Sequence, residues 1–130
     1  MGMNDTLAVA LNNIFNAEKV AKDTCVVRPV SKVTEKVFEI MKDNQYIGEY
    51  VKTEDGRGDS FTVNLIGAIN RCGVIKPRFS VTTKEYEKFE KRFLPAKDFG
   101  FLVVSTSKGI MTHIEAKEKH LGGKLLAYVY

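Results

Sequence analysis

Phe99-Gly100-Phe101-Leu102-Val103-Val104 runs without interruption into Ser105-Thr106-Ser107-Lys108-Gly109. The first six residues are a continuous apolar run of strand length, the pattern of a strand buried on both faces. The next five change character at once: three consecutive hydroxyls, a lysine and a glycine. Small hydroxyl side chains supply donors and acceptors without bulk, and the glycine lets a backbone come close to a ligand. The second half of the chain is therefore expected to hang on a buried strand that delivers a polar turn to the surface.

Beyond that turn, Thr112 and Glu115 form a Thr-x-x-Glu capping box that opens a short helix reaching about His120, with Gly122-Gly123 ending it and Lys124–Tyr130 forming a last strand. Before it, Tyr86, Phe89, Phe93 and Leu94 are spaced for a short helix stopped by Pro95, Arg78–Thr82 suits a strand, and Gly73 and Pro77 break regularity. Residues 69–130 thus read as a mainly β C-terminal domain with short helices.

Residues 1–68 read as an N-terminal α/β unit. Asn4 or Asp5 caps a helix with Leu7, Ala8, Leu11, Ile14 and Phe15 at helical spacing, and its other face carries Thr6, Asn12, Asn13 and Asn16, polar without charge. Thr24–Val27 is a short strand stopped by Pro29. Ser31 caps a second helix with Val33, Val37, Ile40 and Met41 on its stripe, ending near Asp43-Asn44. Two strands, about Ile47–Thr53 and Ser60–Ile66, flank Asp55-Gly56-Arg57-Gly58-Asp59, whose glycines suit a hairpin loop. Two helices covering one face of a three-stranded sheet complete an α+β protein.

Composition narrows the function. The chain has 130 residues, 44% hydrophobic and 28% charged, as for a folded protein rather than a disordered one. It has no apolar run of membrane-spanning length and no leader pattern at Met1, so a secreted or membrane-spanning protein is not expected. Cys25 and Cys72 fit no ligand spacing and read as reduced, buried thiols of a cytoplasmic protein. The net charge of +4 is unevenly spread: eight basic and ten acidic residues up to position 70, twelve and six after it. A basic half is the electrostatic footprint of a polyanion binder.

The candidate residues divide accordingly. The Ser105, Thr106, Ser107, Lys108, Gly109 turn suits the edge of an unpaired base with its sugar and phosphate. RNA readers use such splayed nucleotides because the narrow A-form major groove shuts side chains out. Lys76-Pro77-Arg78-Phe79 offers a ring for stacking between two cations. Arg28 and Lys32 would clamp a second stretch of backbone, and the uncharged start of the first helix at Thr6 offers N–H groups to a phosphate. Two other classes compete. Ser105 and Lys108 make Ser-x-x-Lys, the beginning of a serine acyl transferase or hydrolase, but no Ser-Asp-Asn or Lys-Thr-Gly element accompanies it and the serine ends a strand. The basic face also suits a protein-interaction module. No P-loop is present. His113 and His120, seven apart on one short helix, span about 10 Å, too far to share a metal, and read as exposed or phosphate-facing. Neither a metal, a cofactor nor an enzymatic activity is expected.

The tail carries a specific resemblance. Ser105-Thr106-Ser107-Lys108-Gly109-Ile110-Met111-Thr112, followed by a short helix, Gly122-Gly123 and a closing strand, is similar to the signature of the small-subunit ribosomal protein eight family. Phe15-Asn16-Ala17, the Arg28-Pro29-Val30-Ser31-Lys32 joint and the two-part layout extend it over the whole chain. Phe99-Gly100-Phe101 and Lys119-His120-Leu121-Gly122-Gly123-Lys124 resemble its archaeal and eukaryotic branch, and Ser-Thr-Ser points to the archaeal side. The resemblance implies a cytoplasmic structural protein of the small ribosomal subunit that binds a central-domain rRNA helix, beside neighbouring ribosomal proteins. Its C-terminal domain would set Ser105, Thr106 and Ser107, supported by Lys108 and Gly109, at a bulged segment. Bacterial relatives carry an acidic RNA-contacting residue after Gly-Gly. Lys124 stands there instead, so that contact does not carry over, and one to phosphate is the expected replacement. They also place a tyrosine near Phe79, so stacking is kept and a hydroxyl lost. Some members repress a ribosomal-protein messenger that mimics the rRNA site.

Overall fold

The computed structural model describes residues 6–28, 31–54, 59–96 and 99–130, and the chain divides into two compact units, Met1–Cys72 and Gly73–Tyr130. Asn4, Asp5, Pro29, Val30 and the 55–58 part of the hairpin loop lie outside the described residues.

The first unit is two helices on a three-stranded antiparallel sheet. Helix α1 (Thr6–Lys19) buries Leu7, Ala10, Leu11, Ile14 and Ala17. Its stripe is thus rotated from the expected one: Ala10 and Ala17 face inward, while Phe15 is half-buried with the Lys19 ammonium 5.5 Å from its ring centre. Strand β1 (Thr24–Val27) follows, then α2 (Lys32–Asp43), capped as expected by Ser31, whose hydroxyl accepts the Thr34 N–H. Helix α2 turns Thr34, Val37, Phe38, Ile40 and Met41 inward. Strands β2 (Ile47–Glu54) and β3 (Asp59–Leu65) complete a sheet ordered β1-β3-β2. Phe38, Tyr50 and Phe61 meet edge-to-face at 5.2–6.1 Å between helix and sheet. The helix side of the sheet is further filled by Val27, Ile47, Val63 and Leu65.

The second unit is a five-stranded sheet with two short helices. Its strands are β4 (Cys72–Val74), β5 (Ser80–Val81), β6 (Phe101–Thr106), β7 (Gly109–Thr112) and β8 (Gly123–Val129). The order is β4-β8-β6-β7, with β5 also paired to β8. Helix α3 (Tyr86–Phe93) ends on Leu94, held extended before Pro95, and α4 (His113–Glu118) starts at Thr112, whose hydroxyl accepts the Glu115 N–H. A core of Ile75, Val81, Tyr86, Phe89, Leu94, Leu102, Val104, Met111, Ala116 and Leu125 lies between them.

Four expectations are corrected here. Strands β4 and β7 escaped the sequence reading. Gly73 breaks the apolar pattern of β4 because a Cβ there would press on the Tyr128 phenol at 3.0 Å, and β7 is a four-residue return strand that reads as a lead-in to its helix cap. The glycine pair does not stop α4. His120 does, at φ +57°, with Leu121 N–H bonding to Ala116 O and His120 N–H to Lys117 O, a Schellman closure. Gly122 and Gly123 are needed instead where backbones touch: a Cβ would strike the carbonyl oxygen of Val81 at 2.5 Å from Gly122, and that of Ser105 from Gly123. His113, read as exposed, is buried. Of the two thiols, Cys72 is buried but Cys25 only partly so.

Candidate nucleic-acid interface

The polar turn is the tip of the β6–β7 hairpin. Thr106 pairs with Gly109, so Ser107 and Lys108 form a two-residue loop. The positive φ falls on Gly109 at +119°, where a Cβ would meet nothing within 4 Å. The glycine thus serves the backbone twist of the turn and leaves the surface open. Thr106 closes the turn with its hydroxyl: Oγ1 donates to Gly109 O at 2.8 Å and accepts the Lys108 N–H at 3.1 Å. Its proton is committed, whereas Ser107 and Lys108 are exposed at the tip and Ser105 is half-buried below it.

Register then extends the tip into a row. Ser105 on β6 stands opposite Lys124 on β8, and Lys124 opposite Ser80 on β5. Neighbouring positions face opposite sides of a strand, so this row lies away from the core side taken by Val104, Leu125 and Val81. Lys124 and Ser80 are both exposed. Ser80 was missed in the sequence because nothing but cross-strand register connects it with residue 124.

Phe79 belongs to the other side. It is half-buried against the core, its ring 5.3 Å from Phe89, with the Arg92 guanidinium 4.9 Å from its centroid. One face of the ring is therefore engaged with protein and a cation stands over it; Arg92 is a further residue that the sequence reading did not single out. Lys76 and Arg78 are exposed on the same connecting loop.

In the first unit, Thr6, Ser31 and Lys32 are brought together by hydroxyl chemistry. Thr6 Oγ1 donates to Ser31 Oγ at 3.1 Å. Ser31 Oγ also accepts the Thr34 N–H, so its own proton goes to Thr34 Oγ1 at 2.9 Å. This chain ties the first turn of α1 to the N-cap of α2, where exposed Lys32 begins the helix. Arg28 is exposed just past β1.

Among the described residues the remaining titratable groups do not gather into a reactive site. Among the described residues no three His, Cys, Asp or Glu side chains are placed to hold a metal. His113 Nδ1 accepts the Leu102 N–H at 3.0 Å, and Glu90 is shared by His113 and Lys117 beside a cavity of about 320 Å³. Burial, helped by Glu18, pushes the Cys72 thiol up to about 12, and burial raises Cys25 as well, partly offset by Lys22. Neither is poised as a nucleophile. Ser105 lies within a paired strand rather than opening a helix. No described helix is long and apolar enough to cross a membrane.

The family model described as Ribosomal protein S8 matches residues 5–130.

Proposed function

Because the chain belongs to the ribosomal protein S8 family, structural rRNA-binding proteins of the small ribosomal subunit, working in the cytoplasm within the ribosome, we propose that its β6–β7 tip seats in an irregular, bulged helix of the rRNA central domain. The observation that carries the reading is the exposed Ser107-Lys108 tip, closed by the Thr106 hydroxyl and continued by the Ser105–Lys124–Ser80 row. Ser107 and Ser105 present hydroxyls for a displaced base and its sugar, and Lys108 and Lys124 present charge for phosphates. Lys76, Arg78 and the Phe79–Arg92 pair extend the basic surface of the second unit. Thr6, Arg28 and Lys32 give the first unit its own backbone contact. Phosphate contacts supply most of the affinity, and hydroxyls the preference for a deformed helix over a regular one. By holding one RNA conformation the protein shifts the RNA ensemble toward it. A messenger segment of the same shape would be bound, and its translation repressed, by the same residues.

The test is a filter-binding titration against the bulged central-domain helix and a perfect duplex of equal length, at several salt concentrations. Tight binding to the bulged helix that weakens with salt is expected. Ser107→Ala is expected to lose about 1–3 kcal/mol there and little on the duplex. Equal binding of wild type and Ser107→Ala to the bulged helix defeats the reading of the tip. Labelling of Ser105 by an acylating reagent would favour a hydrolase instead.

A further inference from the structure

A cavity of about 320 Å³ opens between α3 and α4, in the second unit, and the RNA contacts proposed above do not use it. Glu87, Glu90, Lys91 and Leu94 follow at three- and four-residue steps along α3 and its C-cap, so they share one face and line the cavity together. Pro95 and Ala96 continue that wall to an exposed rim, and Lys117 comes from α4. The floor is well covered: Glu90 is 8% exposed and Leu94 6%. Both bonds to the Glu90 carboxylate, from His113 Nε2 and Lys117 Nζ, run to Oε1. Oε2 receives none from a described residue. No buried side-chain oxygen among those residues lacks a partner, so Oε2 is reached from the cavity that Glu90 lines. Lys117 spends one N–H on Oε1 and, 40% exposed, keeps others for a ligand. At the rim Lys91 and Glu87 pair at 3.9 Å with both side chains exposed, an ion pair that water screens and a ligand opens at little cost.

We propose that this cavity binds a free α-amino acid with an aliphatic side chain. The ligand's ammonium donates to Glu90 Oε2, its carboxylate accepts from Lys117, and its side chain lies on Leu94 and Pro95. Charge selects a zwitterion. The lining holds two carboxylates and two ammonium groups, so a ligand of one sign meets as much repulsion as attraction. Distance selects the α-amino acid among zwitterions. Glu90 and Lys117 are hydrogen-bonded, so the acceptor and donor sites lie side by side, as do the two charged groups on one α-carbon. The ends of a long ω-amino acid would overshoot them. The wall also selects against a nucleobase, because no ring stands among its described residues and a base has nothing to stack on. The volume agrees, since pockets for small ligands begin at about 300 Å³. Burial of Glu90 strengthens the bond to the incoming ammonium, because a carboxylate withdrawn from water is less screened. This site goes beyond the rRNA placement and does not depend on it.

The test is a titration of the isotope-labelled whole chain with L-leucine, followed by amide chemical shifts. Saturable shifts are expected at residues 90–96 and 113–118. Leucinamide, which lacks the carboxylate, and N-acetylleucine, which lacks the ammonium, are each expected to bind about tenfold more weakly. Lys117→Met leaves the His113 bond to Glu90 in place and is expected to weaken leucine binding about tenfold. Ala96→Trp, at the exposed rim, is expected to abolish binding by filling the mouth. Both variants are checked by circular dichroism for an unchanged melting curve. No saturable shift at these residues, equal affinity for leucinamide or N-acetylleucine, or full affinity in Ala96→Trp overturns the proposal. Guanosine monophosphate is the competing probe, and tighter binding of it than of leucine at the same residues overturns the proposal by assigning the cavity to a nucleotide.

Discussion

His113 Nε2 lies 3.2 Å from the Glu90 carboxylate, deep between α3 and α4. The other ring nitrogen, Nδ1, accepts the Leu102 N–H, which fixes the tautomer: Nε2 carries the proton and donates it to Glu90. Lys117 bonds the same carboxylate oxygen. One buried acid thereby ties the first turn of α4 to α3, and through the imidazole to β6, the strand that ends in the hairpin tip.

Glu90→Ala is expected to destabilise the chain by about 1–3 kcal/mol, because the buried His113 N–H loses its acceptor while Lys117 can turn to water. Glu90→Gln keeps an acceptor oxygen and is expected to lose less. Urea unfolding at neutral pH measures both. An unchanged midpoint for Glu90→Ala would show that the bond contributes nothing.

Thr106→Val separates closing the tip from reading with it. The valine keeps the shape and removes the bonds to Gly109 O and Lys108 N–H. A loss of about 1–2 kcal/mol in stability is expected, together with weaker RNA binding. Ser107→Ala is expected to leave stability within about 0.5 kcal/mol. Thermal melting of the two variants side by side decides it.

The sequence displays what rests on local chemistry. Ser31 and Thr112 announce their helices because capping involves residues three apart, and Phe101–Val104 announces a strand because it is buried on both faces. What depends on distant partners stays hidden. The reason for Gly123 is the Ser105 carbonyl, and the reason for Gly73 is Tyr128. The burial of His113 is set by Leu102 and Glu90, on two other elements. For the same reason the hydroxyl turn was visible as a cluster, while the place of Ser80 beside Lys124, and of Phe79 on the opposite side of the sheet, had to await the register.

Gly123→Ala and Gly109→Ala are expected to differ sharply. At Gly123 the methyl would drive into the backbone of Ser105, prying β8 from β6, for a loss of about 3 kcal/mol or more. At Gly109 it would meet open space, leaving only the positive φ, for about 1–2 kcal/mol. Melting temperatures from circular dichroism rank them, and the reverse order would refute the close-approach account.

Cys72 gives the chain an alkaline weakness. Burial, with Glu18 nearby, pushes its thiol up to about 12 in the folded chain, against 9.0 for an unburied thiol. The folded state therefore holds its proton where the unfolded state releases it. Its contribution is intact below pH 9 and is lost as pH rises toward 12. Between pH 7.5 and 10.5 the loss attributable to this thiol is about 2 kcal/mol. Cys72→Val, unfolded in urea at both values, is expected to lose that much less than wild type. In the native chain at pH 8, a thiol reagent is expected to label Cys25 well before Cys72.

The bond from Thr106 to Gly109 settles who adapts in an encounter. A tip fastened by its own hydroxyl arrives already shaped, so the entropy of ordering it is spent when the protein folds and not when the partner comes. In the proposed complex adjustment then falls to the RNA, with the protein as a rigid gauge against which a pliable strand is tried.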